Sequence, residues 1–344
     1  MVKYSLTEGC DKMISKDIGI DLGTANVLIY IKGKGIVLDE PSIVALEADT
    51  KKVIAVGKEA AEMIGRTPGK VKAIRPMKDG VIADFEITEI MLNAFIKKIK
   101  AKRLFGRPRV LICCPTNITP VERNAIKEAA ERTGARRVYI EEEPKVAAIG
   151  SGLDISKPTG NMVLDIGGGT TDIAVLSLND IVSSASIKMA GNAFDQAIIS
   201  YIKSKYHLLI GEKTAEDIKI NFTNVNNPDK KKKLEVKGRN LLTGLPDTIE
   251  INQTETKEAL KECVDKIVRE TTGVFEETPP ELAGDIVEKG IILTGGGSLL
   301  RGLAEVLEAS LKVPVLTAES PLTCVVEGTG VLLEKRKELE EDQY

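Results

Sequence analysis

The chain has 344 residues, enough for about two domains with substantial cores. Apolar residues make up 42% and charged residues 29%, and 48 Lys+Arg nearly balance 51 Asp+Glu, which leaves a net charge of -3. These values are typical of a folded globular protein and exclude a disordered chain, a collagen and a broadly basic nucleic-acid binder. The longest run without a charged residue is too short to span a bilayer.

Cysteine and histidine usage narrows the chemistry further. The five cysteines are scattered without a CxxC pair, and the N-terminal segment lacks the apolar core of a secretory signal. Both observations predict a reduced, cytoplasmic protein in which Cys113 and Cys114 pack as small apolar residues. The single histidine, His207, argues against His-based triads and zinc sites, so any catalysis must use carboxylates, hydroxyls, backbone amides or a bound ion.

Two segments share one pattern of a strand, an aspartate, a glycine-rich turn and a second strand. The first is IGIDLGTAN followed by VLIYI, and the second is MVLDIGGGTTD followed by IAVL. Their aspartates, Asp21 and Asp165, are 144 residues apart, which is close to the length of one domain. The sequence therefore predicts a duplicated domain with one hairpin in each copy and a cleft between the copies.

Apolar periodicity predicts helices between and after the two hairpins, which places the chain in the α/β class. Residues 221–233 are polar and contain a lysine run, which indicates either a solvated loop or an anion contact. A third glycine turn, TGGGS, follows a strand at residues 291–293 and precedes a predicted helix over residues 298–311. The other predicted helices cover residues 88–102, 119–133, 143–150, 194–206, 214–220 and 256–275.

The glycine turns suit a polyphosphate ligand. Neither a P-loop nor a GxGxxG fingerprint is present, but glycine lets a backbone amide approach a phosphate oxygen closely. Carboxylates beside phosphates repel them, so Asp21 and Asp165 require a divalent cation between, and Mg²⁺ prefers such oxygen ligands. A single turn of this kind is more simply an ordinary tight hairpin, but two matched copies and TGGGS favour the phosphate interpretation.

These elements resemble the phosphate loops and the adenosine motif of the actin, sugar kinase and heat-shock ATPase superfamily. Within it, nearly the whole chain resembles the MreB family of bacterial actin homologues. The matching motifs are IGIDLGTAN, KGIVLDEPS, AIRPMKDGVIADF, EEPKVAAIGSGL, NMVLDIGGGTTDIAV, IGEKTAEDIK, TPPELAGDI and ILTGGGSLLRGL.

The resemblance implies an actin-like ATPase fold, in which duplicated ribonuclease-H-like domains surround a nucleotide cleft and form four subdomains. The expected boundaries are residues 1–44, 87–152 and 329–344 for subdomain IA, 45–86 for IB, 153–192 and 257–328 for IIA, and 193–256 for IIB.

The resemblance also implies the site residues, with ATP or ADP and Mg²⁺ as ligands. The glycine turns would contact the phosphates, the helix of the GEKTAEDIK motif would line the ribose and adenine, and the third turn would lie beneath the base. Asp21 and Asp165 would hold Mg²⁺ through water, while Glu143 and Thr170 would position the attacking water. The implied nucleotide contacts are Gly23, Thr24, Ala25, Asn26, Gly167, Gly168, Gly169, Thr170, Lys213, Glu216, Lys219, Gly295, Gly296 and Gly297.

Glu143 has a second interpretation, as a capping carboxylate favoured by the helix dipole. The chain also departs from the family pattern near it. Lys145 stands where the family has Met, and a cation there could pair with Glu143 and slow turnover. The other departures are Asn117, Glu141, Asn192 and Gln196.

A basic stretch over residues 97–109 carries seven positive side chains around the apolar pair Leu104 and Phe105. A buried corner would explain it, but basic residues beside an apolar tip also suit an anionic membrane surface. The family resemblance favours membrane contact at this loop. It also implies antiparallel double protofilaments of the chain itself and contacts with membrane proteins of the cell-shape machinery, without nucleic acid.

The expected function is that of a slow, filament-forming ATPase at the inner face of the cell membrane that helps to determine cell shape, or a paralogue with a motility role. The alternative from another class is a soluble small-molecule kinase with the same ATPase core. A chaperone ATPase is disfavoured because nothing after Leu333 could form a substrate-binding domain.

Overall fold

The computed structural model describes residues 17–66, 69–99, 108–116 and 118–341 of the chain. Strands and helices alternate along these residues, as predicted for an α/β protein. The strands are β1 (Ile18–Leu22), β2 (Asn26–Ile31), β3 (Gly35–Pro41), β4 (Val44–Glu47), β5 (Val53–Val56), β6 (Val71–Ile74), β7 (Met77–Lys78), β8 (Val81–Ile82), β9 (Arg109–Cys114), β10 (Arg137–Glu142), β11 (Asn161–Ile166), β12 (Thr171–Ser177), β13 (Asp180–Ile187), β14 (Leu208–Leu209), β15 (Lys233–Asn240), β16 (Pro246–Asn252), β17 (Ile291–Thr294) and β18 (Val315–Thr317). The α-helices are α1 (Lys58–Ala61), α2 (Phe85–Lys98), α3 (Pro120–Arg132), α4 (Glu143–Gly150), α5 (Gly191–Tyr206), α6 (Glu212–Asn221), α7 (Gln253–Glu276), α8 (Pro280–Lys289), α9 (Leu303–Leu311) and α10 (Cys324–Glu341).

Two five-stranded sheets have the same topology. The first has the order β10-β9-β1-β2-β3 and the second the order β18-β17-β11-β12-β13. In each sheet, three consecutive strands form an antiparallel meander. A later strand pairs in parallel with the first strand of that meander, and one more strand pairs in parallel with that later strand. This equivalence confirms the predicted duplication, and it puts the two glycine turns at corresponding positions in the two copies.

Smaller sheets are inserted into each copy. Strands β4, β5 and β6 form one antiparallel sheet, and β14, β15 and β16 form another. Each of the four predicted subdomains contains one of these four sheets, while the subdomain boundaries themselves stay a prediction.

The observed helices follow their capping residues. Asp84 accepts a hydrogen bond from the backbone N–H of Ile87, so α2 begins three residues before the predicted start. Thr119 and Glu122 form a capping box at the start of α3.

The helix predicted over residues 298–311 is interrupted. A 3-10 turn over Gly296–Leu299 is followed by an extended residue and then by Gly302 at φ 89°, and α9 begins only at Leu303. The left-handed conformation of Gly302 separates the 3-10 turn from α9. Apolar periodicity does not reveal this break.

The interior divides into separate apolar clusters, and α10 and α4 pack between the two large sheets. Cys113, Cys114, Cys263 and Cys324 are buried free thiols, which confirms the packing role predicted for Cys113 and Cys114. A side chain on Gly150 would collide with the carbonyl of Cys324, and one on Gly328 with the carbonyl of Val146. The α4–α10 crossing therefore brings backbone against backbone.

Within the described residues, none of the helices combines the length and apolar character needed to cross a bilayer.

Candidate functional site

The two predicted glycine turns meet. One closes the β1–β2 hairpin and the other closes the β11–β12 hairpin. A carbon placed on Gly168 would lie 2.6 Å from Ala25 Cβ, and one placed on Gly169 would lie 2.5 Å from Thr24 Oγ1. Glycine is required at these two positions because one turn approaches the other too closely for a side chain.

The first turn is held by the segment that follows β3. The Ser42 hydroxyl donates to the carbonyl of Gly23 at 2.6 Å, and the Ser42 N–H donates to the carbonyl of Ala25 at 2.8 Å. Asn26 Nδ2 donates to Asp39 Oδ1 at 2.8 Å. These bonds fix the backbone of the turn, while the side chains of Ala25 and Asn26 stay exposed.

The second turn is held by the start of α5. The Gly167 N–H donates to the Thr170 carbonyl at 2.9 Å and closes the turn. The N–H of Gly191 then donates to the Gly167 carbonyl at 3.1 Å, and the N–H of Asn192 donates to the Gly168 carbonyl at 2.8 Å. Because Asn192 acts here through its backbone, its departure from the family pattern leaves this contact intact.

Four carboxyl groups lie near the paired turns. Burial raises the pKa of Asp21 to about 7. Burial raises the pKa of Asp165 well above its usual value, and the neighbouring Asp172 and Asp21 raise it further. The pKa of Glu143 is raised well above its usual value by burial and then by the charges of the same aspartates. This concentration of negative charge in a poorly hydrated place favours a bound cation.

The donor set fits Mg²⁺ held through water. Carboxylate oxygens are the ligands that Mg²⁺ prefers, and the ion keeps several of its own waters. Within the described part of the chain, no three Asp, Glu, His or Cys side chains are arranged as direct ligands of one ion.

Asp172 is a site residue that the sequence analysis missed. It pairs with Asp165 across the β11–β12 hairpin, is 1% exposed, and accepts a hydrogen bond from the N–H of Thr116 at 3.3 Å. Burial raises its pKa, while hydrogen bonds from Ser186, Thr116 and Thr170 oppose that shift. The sequence contained a signal for Asp172. In a hairpin with a four-residue turn after Ile166, Asp165 and Asp172 lie opposite each other on the paired strands.

Glu143 is the first residue of α4, and the residue before it, Glu142, is the N-cap and makes no side-chain capping hydrogen bond. The expected pairing of Lys145 with Glu143 is wrong, because Lys145 Nζ lies 3.7 Å from Glu141 Oε2 instead. Glu141 lies near the end of β10, just before α4 begins, whereas Glu143 and Lys145 are two residues apart within α4 and point in different directions. The two departures from the family pattern thus pair with each other, and they leave the Glu143 carboxylate without a neutralising lysine.

Of the three residues expected around the adenosine, Lys213 and Glu216 are exposed on α6. Lys219 is half-buried and directed toward α5, where its Nζ donates to Asp195 Oδ2 at 2.9 Å and to the Gly191 carbonyl at 3.1 Å. Lys219 is therefore joined to the residue that supports the second glycine turn.

The third glycine turn lies beside the second. A carbon on Gly295 would collide with Asp165 Oδ1, and one on Gly297 with the side chain of Ile166. Gly296 lies against Leu322, since a carbon placed there would be 3.2 Å from its Cδ2. The third turn therefore lies against the strand that leads into the second turn, and the second turn contacts the first.

Two further contacts join the halves of the chain. The Gly80 N–H donates to Thr24 Oγ1 at 2.9 Å, and a carbon on Gly80 would lie 2.7 Å from Thr170 Cγ2. Arg75 Nη1 lies 3.0 Å from Glu212 Oε2, so an ion pair joins the end of β6 to the start of α6. Neither contact was predicted.

A cavity of about 510 Å³ lies elsewhere, between the end of α5, β16 and the start of α7. Two of its three lysines are already paired, Lys205 with Glu255 at 2.7 Å and Lys233 with Glu250 at 2.5 Å. The residues that line this cavity include none of the glycine turns or of the four carboxylates near them.

Some predicted features lie outside the described residues. These are the membrane-contact pair Leu104 and Phe105, and the departure at Asn117.

Comparison with known proteins agrees with this geometry. Residues 15–341 match the family model described as MreB/Mbl protein. The chain is 61% identical over 327 residues to the cell shape-determining protein Mbl of Bacillus subtilis (strain 168), with 95% of this chain and 98% of that protein covered. It is 52% identical over 327 residues to the cell shape-determining protein MreB of Escherichia coli (strain K12), with 94% of each covered.

A solved structure shows the same fold. The crystal structure of MreB5 of Spiroplasma citri bound to AMPPNP superposes with a TM-score of 0.90 at 41% identity, covering 96% of this chain and 99% of that chain. The two equivalent sheets, the paired glycine turns and these matches lead to one conclusion: the chain belongs to the MreB/Mbl family and has its actin-like fold.

Proposed function

We propose that this chain is an actin-like cytoskeletal ATPase that binds ATP with Mg²⁺, assembles into filaments and helps to determine bacterial cell shape. The observation that carries the proposal is the contact between the Gly168–Gly169 turn and Thr24–Ala25, with Asp21 and Asp165 on the strands that lead into the turns. The names of the Mbl and MreB relatives and the AMPPNP bound to MreB5 support it.

Each part of the site has a role in phosphoryl transfer to water. The amides of the first two turns bind the β- and γ-phosphates, and α6, the helix that carries Lys213, Glu216 and Lys219, faces the adenosine with the third turn. Asp21 and Asp165 would hold Mg²⁺ through water, and the ion would offset the charge of the phosphates. Glu143, with Thr170, accepts hydrogen bonds from the attacking water and holds it in line with the γ-phosphate.

The assembly partners follow from the family. Copies of the chain join head to tail through heterologous contacts, which build an open filament when the rotation between copies does not close a ring. Leu104 and Phe105, among basic residues, contact the anionic inner face of the cell membrane.

Light scattering against protein concentration tests filament formation. With MgATP, scattering should rise above a threshold concentration, and without nucleotide the threshold should be higher. A soluble small-molecule kinase of the same superfamily would stay small at every concentration, and that result would reject the filament proposal.

Phosphate release tests the role of Glu143. Glu143→Ala should lower the Mg²⁺-dependent rate by about 100-fold, since positioned general bases contribute on that order. Glu142→Ala is the matched control, because Glu142 is the neighbouring half-buried carboxylate. An unchanged rate in Glu143→Ala would leave only the helix-capping interpretation.

Co-sedimentation with vesicles containing anionic lipid tests membrane contact. The double substitution Leu104→Ser with Phe105→Ser should leave filaments intact and release them from the vesicles. If binding is unaffected, the membrane contact lies elsewhere.

A further inference from the structure

Asp195 is a buried carboxylate to which the proposed function assigns no role. It lies in the first two turns of α5, is 8% exposed, and faces Lys219 of α6. A carboxylate in such a place is costly unless a charged partner compensates it. Lys219, whose own side chain is 13% exposed, is that partner.

The contacts continue from this ion pair to the phosphate turn. Lys219 Nζ also donates to the carbonyl of Gly191, and the next two N–H groups, those of Gly191 and Asn192, donate to the carbonyls of Gly167 and Gly168. Gly191 lies next to both groups, since a carbon placed there would be 3.6 Å from Lys219 Nζ and 3.4 Å from the Gly167 carbonyl oxygen, in ordinary van der Waals contact. Asp195 therefore fixes the position of the Lys219 side chain. Lys219 in turn fixes the position of the start of α5 against the second glycine turn.

We infer that Asp195 is a positioning residue for nucleotide binding: through Lys219 and Gly191, it joins the helix that faces the adenosine to the turn that binds the phosphates. This inference rests on the proposed function. Its consequence is that α6 and the second glycine turn respond to a ligand as one unit, so that contacts with the base and contacts with the phosphates reinforce each other.

The binding of three probes tests the coupling: MgATP, MgADP and adenosine without phosphate, each measured by calorimetry. Asp195→Asn keeps the size of the side chain and removes its charge. It should weaken MgATP and MgADP by about tenfold, the effect of one lost charge-assisted hydrogen bond, and weaken adenosine much less. Equal losses for adenosine and MgATP would show that Asp195 orients α6 only and would overturn the coupling.

A double-mutant cycle gives a second measurement. Lys219→Met removes the ammonium group and keeps most of the stem, and the double variant with Asp195→Asn should bind MgATP no worse than the weaker single variant. Fully additive losses would mean that the two residues act independently and would contradict the inference.

Lys205→Met is the matched control. Lys205 lies on α5, the same helix as Asp195, and it pairs with Glu255, away from the glycine turns. It should bind MgATP as the unsubstituted chain does. If the unsubstituted chain itself fails to bind MgATP, the proposed function fails; if it binds and Asp195→Asn binds equally well, only the inference fails.

Discussion

At the scale of single residues, the approach of the two turns makes a sharp prediction for Gly168. Gly168→Ala places a methyl group 2.6 Å from Ala25 Cβ, so the turns must separate. Overpacking of this kind costs about 1 to 3 kcal/mol, and we expect calorimetry to show MgATP affinity reduced about tenfold or more. Gly284→Ala, on an exposed position of α8 with no atom within 4 Å, should bind normally and be slightly more stable.

Asp195 also predicts a pH dependence of stability. Burial raises the pKa of Asp195 to about 6. The positive charge of Lys219 lowers this pKa, and the negative charges of Glu216 and Glu212 raise it. The native chain therefore holds this proton more tightly than the unfolded chain, so its contribution to stability falls as pH rises between about 4 and 6. Relative to Asp195→Asn, the unsubstituted chain should lose about 1.4 kcal/mol of unfolding free energy per pH unit in that window, measured by urea titration. A constant difference between the two proteins would contradict the shift.

At the scale of elements, the crossing of α4 and α10 supports Glu143, the carboxylate proposed to be catalytic. The backbones touch at Gly150 and Gly328, and Glu143 begins the same helix, α4. Gly328→Ala should force the helices apart, lower the free energy of unfolding by about 1 to 3 kcal/mol, and slow phosphate release more than it weakens MgATP binding. Gly273→Ala on α7, where nothing lies within 4 Å, serves as the control. A melting temperature equal to that of the control would show that α10 accommodates the methyl group.

At the scale of the whole molecule, the Arg75–Glu212 ion pair bridges the two halves. Both side chains are nearly half exposed, so the pair should add little to the stability of the fold. It should instead slow the opening that releases nucleotide. Arg75→Glu should speed the dissociation of a fluorescent ADP analogue by about threefold at low salt, and added salt should reduce the difference.

The reversed pair, Arg75→Glu with Glu212→Arg, is the control for this bridge. It restores opposite charges and should return the dissociation rate to that of the unsubstituted chain. If the reversed pair dissociates as fast as Arg75→Glu, the two side chains do not act through their attraction.

Local patterns predicted the hairpins, the glycine turns and most helices, because strand alternation, glycine and capping residues act over a few positions. The approach of Gly80 to Thr24 and the pairing of Arg75 with Glu212 join residues 56 and more positions apart, and no local pattern encodes them. Lys145 shows a different limit: its charge was noted correctly, but its partner depended on how the chain folds at the junction between β10 and α4, where Lys145 reaches Glu141. The roles of Glu143 and the adenosine residues came from family resemblance and stay predictions.

The matching order of the two five-stranded sheets has a consequence for how the protein melts. A ligand bound by one turn from each copy is released when either copy unfolds. Its binding free energy therefore couples the unfolding of the two copies. In scanning calorimetry, the empty protein can therefore unfold in two steps, one for each copy, whereas saturating nucleotide should merge them into a single cooperative peak.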